Sequence, residues 1–120
     1  MAKILIVDDD AVNTRLFVNK LTIDGHTVTY AEDGDTAMQH MSEPFNLIVL
    51  DIMVPRADGV TILKKLRAGV NKKTPVIVFT NLISDTVKAE AMEKGASEYL
   101  QKTDFTPQTF IAKIGEYISD

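Results

Sequence analysis

The chain has 120 residues, 45% of them hydrophobic, with 13 Lys plus Arg against 17 Asp plus Glu and no cysteine. One domain over residues 1–120 with its own core is the expectation at this length, and the missing cysteines exclude a disulfide framework, a thiolate nucleophile and a Cys-ligated metal while fitting a reducing, cytoplasmic compartment. A net charge of −4 with scattered cations argues against direct binding of nucleic acid, and apolar runs of four residues argue against a membrane span or a leader.

In chain order, Ile4 to Val7 reads as a strand covered on both faces, short and rich in Ile, Val and Leu. Val12, Leu16 and Leu21 follow at helical spacing, closed by Gly25, and the alternating Thr27 to Tyr30 reads as an edge strand. Ala37, Met38 and Met41 predict a second helix, Leu47 to Leu50 a second buried strand, and Val60, Ile62, Leu63 and Leu66 a helix closed by Gly69. Val76 to Phe79 is the next strand; Val87, Ala91 and Met92 mark a helix closed by Gly95; Glu98 to Gln101 is the last strand. Thr106-Pro107 opens a final helix carrying Phe110, Ile111, Ile114 and Ile118 and ending at Ser119-Asp120. Five β-α units in alternation predict an α/β fold with a parallel sheet, right-handed crossovers and helices on both faces. No linker or output domain is legible, so the chain either docks to its target alone or is part of a longer one.

Ligands of an open α/β sheet bind outside the carboxyl ends of its strands. Those positions hold Asp8-Asp9-Asp10, Asp51, Thr80-Asn81 and Lys102. Asp10 is expected to cap the first helix. Asp51 has no such role, because Pro55 and Gly59 follow it and no helix begins at once. One lysine cannot balance Asp8, Asp9 and Asp51, so a divalent cation with oxygen ligands, Mg²⁺ or Mn²⁺, completes the site. The first loop has no glycine to cradle a phosphate, which disfavours a flavin or dinucleotide. A phosphoryl group would enter with the cation, bound by Lys102 and Thr80. His26 and His40 read as solvated surface residues, and the five methionines as packing.

ILIVDD (Ile4–Asp9), LDIMVPRADG (Leu50–Gly59), Val78-Phe79-Thr80 and GASEYLQK (Gly95–Lys102) resemble the receiver domain of two-component response regulators, the CheY-like family, over nearly the whole chain. The resemblance implies a flavodoxin-like doubly wound sheet of order 2-1-3-4-5. It implies that Asp51 accepts a phosphoryl group from a phosphohistidine of a sensor histidine kinase or a histidine phosphotransfer protein. Asp9, Asp51 and the backbone carbonyl of Met53 would hold Mg²⁺, with Asp8 orienting a bound water. Lys102 would pair with the acceptor and then with the phosphoryl group, and Thr80 would bind a phosphoryl oxygen. Tyr99 would change rotamer as Thr80 moves and pass the signal to the face of the fourth helix, last strand and last helix, where an unknown protein target docks to a monomer or a phosphorylation-dependent dimer. The domain would thus catalyse its own phosphorylation and dephosphorylation. Met53 and Leu82, apolar where the family flanks the attacking water, and the bulk of Asn81 imply slow self-dephosphorylation.

The resemblance departs at Thr103, where the family commonly has proline, often after a cis bond. A cis bond before another residue costs about 2.5–4 kcal/mol, so the loop is expected to be either trans, displacing the Lys102 ammonium, or strained. Two rival readings differ in class. A haloacid-dehalogenase-type phosphatase needs Asp-x-Asp-x-Thr, but Asp8 and Asp10 are followed by Val12 where threonine belongs. A phosphorylation-independent interaction module would have no need of the full set of acids, Thr80 and Lys102.

Overall fold

The computed structural model describes residues 1–118. Five strands, β1 (Lys3–Val7), β2 (Thr27–Ala31), β3 (Leu47–Leu50), β4 (Val76–Thr80) and β5 (Glu98–Gln101), form one parallel sheet in the order β2-β1-β3-β4-β5. The helices are α1 (Ala11–Ile23), α2 (Gly34–Met38), α3 (Gly59–Ala68), α4 (Asp85–Glu93) and α5 (Pro107–Ile118), with one 3₁₀ turn at Lys102–Asp104 before α5. Ser119 and Asp120, placed by the sequence reading at the end of the last helix, lie outside the described residues.

Strand alternation decides which helix covers which face. Leu5, Val7, Ile48, Leu50, Val76 and Val78 point to the side of α2, α3 and α4, where they meet Ala37, Ile62, Leu63, Leu66 and Ala91. Ile4, Ile6, Leu47, Val49, Ile77 and Phe79 point to the other side and meet Phe17 and Leu21 of α1 and Phe110 and Ile114 of α5. Phe79 and Phe110 stack with ring centroids 3.7 Å apart, and Phe17 leans on both. Central β1, β3 and β4 are buried almost throughout, whereas β2 and β5 are half-exposed edges. The accessible surface is 6400 Å².

Several local expectations hold for the reason given. Asp10 caps α1, its carboxylate accepting from the Asn13 N–H. Thr106 caps α5 through the Thr109 N–H at 3.1 Å. Gly25 and Gly95 sit at φ +97° and +105° just past α1 and α4, where the next residue's N–H bonds back five residues, His26 to Leu21 and Ala96 to Ala91.

Others are corrected. Val12 and Leu16 are 78% and 51% exposed, because α1 buries the neighbouring stripe of Thr14, Phe17 and Leu21, the face on which Phe17 reaches the aromatic cluster. Met92 is exposed beside buried Ala91, Met53 is exposed in the loop after β3, and α2 stops at Met38, short of Met41. Neither histidine is simply solvated: the half-buried His26 accepts the Ala2 N–H on Nδ1, and His40 pairs with Glu43. No peptide bond among the described residues is cis, so Lys102-Thr103 is trans.

Candidate functional site

The sheet ladder runs one residue past β1 and β3. The Asp8 N–H bonds to the Ala31 carbonyl at 3.0 Å and the Asp51 N–H to the Val7 carbonyl at 2.8 Å. Both carboxylates are therefore set by the rigid centre of the sheet, 3% and 4% exposed. Thr80 ends β4 and Lys102 follows β5 directly. Four strand ends thus deliver the sequence-predicted residues to one place.

The Lys102 Nζ lies 2.8 Å from Asp8 and 2.9 Å from Asp51, so the trans loop through Thr103 leaves the ammonium in place. The other Asp51 oxygen accepts from the Thr80 hydroxyl at 2.8 Å and from the Met53 N–H at 2.9 Å. Asp8 also accepts the Asp10 N–H at 2.9 Å. Burial works against the charge on Lys102, but its bonds to the two carboxylates outweigh burial and hold its pKa above the ordinary lysine value. Burial lifts the Asp8 carboxyl above the ordinary aspartate value even though Lys102 and the Asp10 amide pull the other way. The single ammonium leaves this acidic site undercompensated.

Exposed Asp9 completes a group with Asp8 and Asp51 in which one oxygen from each lies within 4.8 Å of the others. That donor set, three carboxylates with neither sulfur nor imidazole, fits a hard divalent cation, and the charge imbalance around Asp8 gives the reason for one. A cavity of about 130 Å³ beside it is lined by Asp8, Lys102 and the aromatic wall of Phe17, Phe79 and Phe105.

Tyr99 does not touch the carboxylates. Its hydroxyl donates to the Leu82 carbonyl at 2.9 Å, and the Leu82 N–H approaches the Thr80 hydroxyl at 3.3 Å. The peptide unit of Leu82 therefore links Tyr99 to Thr80 and, through it, to Asp51. Sequence reasoning missed this link, since a backbone contact leaves no side-chain signature. The Leu82 side chain is half-buried against the core, whereas Met53, whose N–H bonds to Asp51, is 53% exposed.

A doubly wound parallel sheet with three carboxylates, a lysine and a hydroxyl gathered at its carboxyl edge is an α/β domain whose candidate site stands where such folds bind their ligands. Residues 4–115 match the model of the response regulator receiver domain, and the chain belongs to that family. It is 37% identical over 114 residues to the transcriptional regulatory protein CpxR of Escherichia coli (strain K12), a match covering 95% of this chain and 48% of that protein. The chain spans about half the length of the first curated relatives it matches. Among solved structures it is similar to the receiver domain of the Francisella response regulator 1452, with 32% identity, TM-score 0.82 and coverage of 98% of this chain and 96% of that one. It is also similar to the Mn²⁺-bound form of response regulator Rcp1, with 25% identity, TM-score 0.83 and coverage of 98% and 94%. Among the described residues no helix is long and apolar enough to cross a membrane.

Proposed function

We propose that Asp51 is the phosphoacceptor of this receiver domain. A carboxylate oxygen of Asp51 attacks phosphorus, the bond from phosphorus to the donor's imidazole nitrogen breaks, and the imidazole leaves with the electron pair. The observation that carries this reading is the convergence on one buried carboxylate of an ammonium and a hydroxyl, each within 3 Å, beside two further acids. Asp9 and Asp51, the Met53 carbonyl and nearby Asp8 would hold Mg²⁺, with Mn²⁺ as the alternative, and the bound ion would supply the positive charge that lets a phosphoryl group enter among carboxylates. Lys102 then follows the charge from Asp51 to the phosphoryl group, and Thr80 moves its hydroxyl from Asp51 to a phosphoryl oxygen. That movement releases the Leu82 N–H, and the Leu82 carbonyl carries the change to Tyr99 and the face of α4, β5 and α5.

The donor is a sensor histidine kinase or a histidine phosphotransfer protein, and the recipient is a downstream protein that reads that face, met by a monomer or a phosphorylation-dependent dimer. Residues 1–120 act as one cytoplasmic domain with no nucleic-acid contact of their own. Incubation with acetyl phosphate and Mg²⁺ followed by intact mass tests the reading. One phosphate on the wild type and none on Asp51→Asn is the expected result. Steady phosphate release without an adduct would indicate a phosphatase, and no reaction a module that works without phosphorylation.

A further inference from the structure

The loop after the acceptor is pressed onto α2. The Gly34 N–H donates to the Pro55 carbonyl at 2.8 Å, and a Cβ on Gly34 would lie 2.2 Å from that of Ala57. Between those two contacts Arg56 adopts φ +66°, the one non-glycine residue with positive φ among the described residues. A side chain with a Cβ is strained there, and such strain persists only where the surroundings enforce it. An arginine held in this way is an outlier that asks for a use.

Its guanidinium is lightly engaged. The nearest carboxylate, Asp35, is 3.5 Å away, with the two side chains 69% and 65% exposed. Arg56 lines a cleft of about 390 Å³ with Pro55, Asp9, Glu32 and Asp33. Asp9 also belongs to the group with Asp8 and Asp51, so the cleft borders that group through Asp9. Three carboxylates line the cleft, and Arg56 is the one cation among the described residues that do so. A phosphorylated donor that comes free in solution is an anion and is repelled by such a lining.

We propose that Arg56 determines donor specificity by charge: it admits small, doubly charged acyl phosphates to Asp51 through this cleft. The inference rests on Asp51 being the acceptor. In the step itself an Asp51 oxygen attacks the phosphorus of acetyl phosphate, the bond from phosphorus to the acyl oxygen breaks, and acetate leaves with the electron pair. Arg56 touches no reacting atom and acts on the approach of the donor.

The test compares acetyl phosphate with the singly charged phosphoramidate on the wild type, Arg56→Gly, Arg56→Gln and Arg56→Lys with Mg²⁺ present. Glycine accepts the positive φ without strain, so Arg56→Gly keeps the loop's backbone while removing the side chain, and comparison with Arg56→Gln and Arg56→Lys isolates the charge. At low ionic strength kcat/KM for acetyl phosphate should fall about fivefold in the Gly and Gln variants, and that for phosphoramidate about twofold, because the interaction scales with the donor's charge. The change should sit in KM, vanish in high salt and be restored by Arg56→Lys. Equal losses on both donors, losses that survive high salt, or no loss would each overturn the proposal while leaving Asp51 as acceptor. Absence of labelling of wild-type Asp51 by either donor would instead overturn the reading beneath it.

Discussion

The two ends of the same parallel sheet treat buried polar groups in opposite ways. At the amino end, Asn71 is fully buried and satisfied: its carbonyl oxygen accepts from the Phe45 N–H and the Thr74 hydroxyl, and its amide donates to the Glu43 carbonyl. Arg67 joins this network, its guanidinium donating to the carbonyls of Asn71, Thr74 and Gly95 and so tying the end of α3 to the starts of β4 and β5. At the carboxyl end, Asp8 and Asp51 share one ammonium, Asp9 has no ion-pair partner among the described residues, and the Asp8 carboxyl is lifted by burial. The amino end resolves Asn71 and Arg67 within the fold. The other holds like charges whose balance must come from a ligand. Stability and chemistry are thus placed at opposite ends of the strands, so that each can change with little effect on the other.

The largest effect that would sharpen this contrast is expected from Asn71→Leu. It leaves the buried Phe45 N–H and Glu43 carbonyl without partners and should cost about 3 kcal/mol of stability in denaturant unfolding. Below the lowered melting temperature, Asp51 labelling by acetyl phosphate should be unchanged. A variant that folds as stably as wild type would show that the amino end is not the structural anchor. Arg67→Met should follow with about 1.5 kcal/mol, read in the same way.

Changes at the carboxyl end should run in the other direction. Without metal, Asp9→Asn relieves repulsion and should gain about 0.5 kcal/mol; Mg²⁺ should raise the melting temperature of the wild type, and by less in the variant. A loss of metal-free stability would mean that Asp9 has a structural partner. Met53→Asn replaces the exposed apolar side chain of the residue whose N–H bonds to Asp51 with an amide that can hydrogen-bond an attacking water. Phosphate loss from labelled protein should then speed up severalfold, and an unchanged rate would remove Met53 from the approach of the attacking water.

The smallest effect lies at the half-exposed edge of the sheet, where Glu98, the first residue of β5, pairs with Lys113 at 2.8 Å and accepts from the Tyr117 hydroxyl. Burial opposes the Glu98 charge, but Lys113 and Tyr117 together hold its pKa below the ordinary value of 4.5. A depressed folded-state pKa gives stability that is present above 4.5 and lost as pH falls through the folded value. Glu98→Gln should therefore flatten the acid limb of the stability curve, by under about 0.5 kcal/mol because the pair is partly exposed. At the alkaline limit burial, helped by Glu98, pushes Tyr117 up to about 12, so its contribution persists to pH 10 and fades above it. An acid limb identical in the variant and the wild type would show that the pair adds nothing.

Much of this was written in local sequence. Three short runs rich in Ile, Val and Leu read as strands covered on both faces, and the residues that follow them, Asp8, Asp51 and Thr80, then share an edge, because parallel strands all point the same way. Capping by Asp10 and Thr106 and the turns at Gly25 and Gly95 were equally legible, since each depends on groups within a few residues. Only the tertiary structure decided the rest. Which stripe of α1 is buried depends on where Phe79 and Phe110 stand, so Val12 and Leu16 fit the helical period and still face solvent. Burial of Asn71, the link from Thr80 to Tyr99 through the Leu82 peptide, and the close approach of Gly34 to Ala57 beside the left-handed Arg56 all join segments distant in the chain. A local pattern reports the period of a segment and the groups beside it. Contacts between distant segments exist only once the sheet has brought them together.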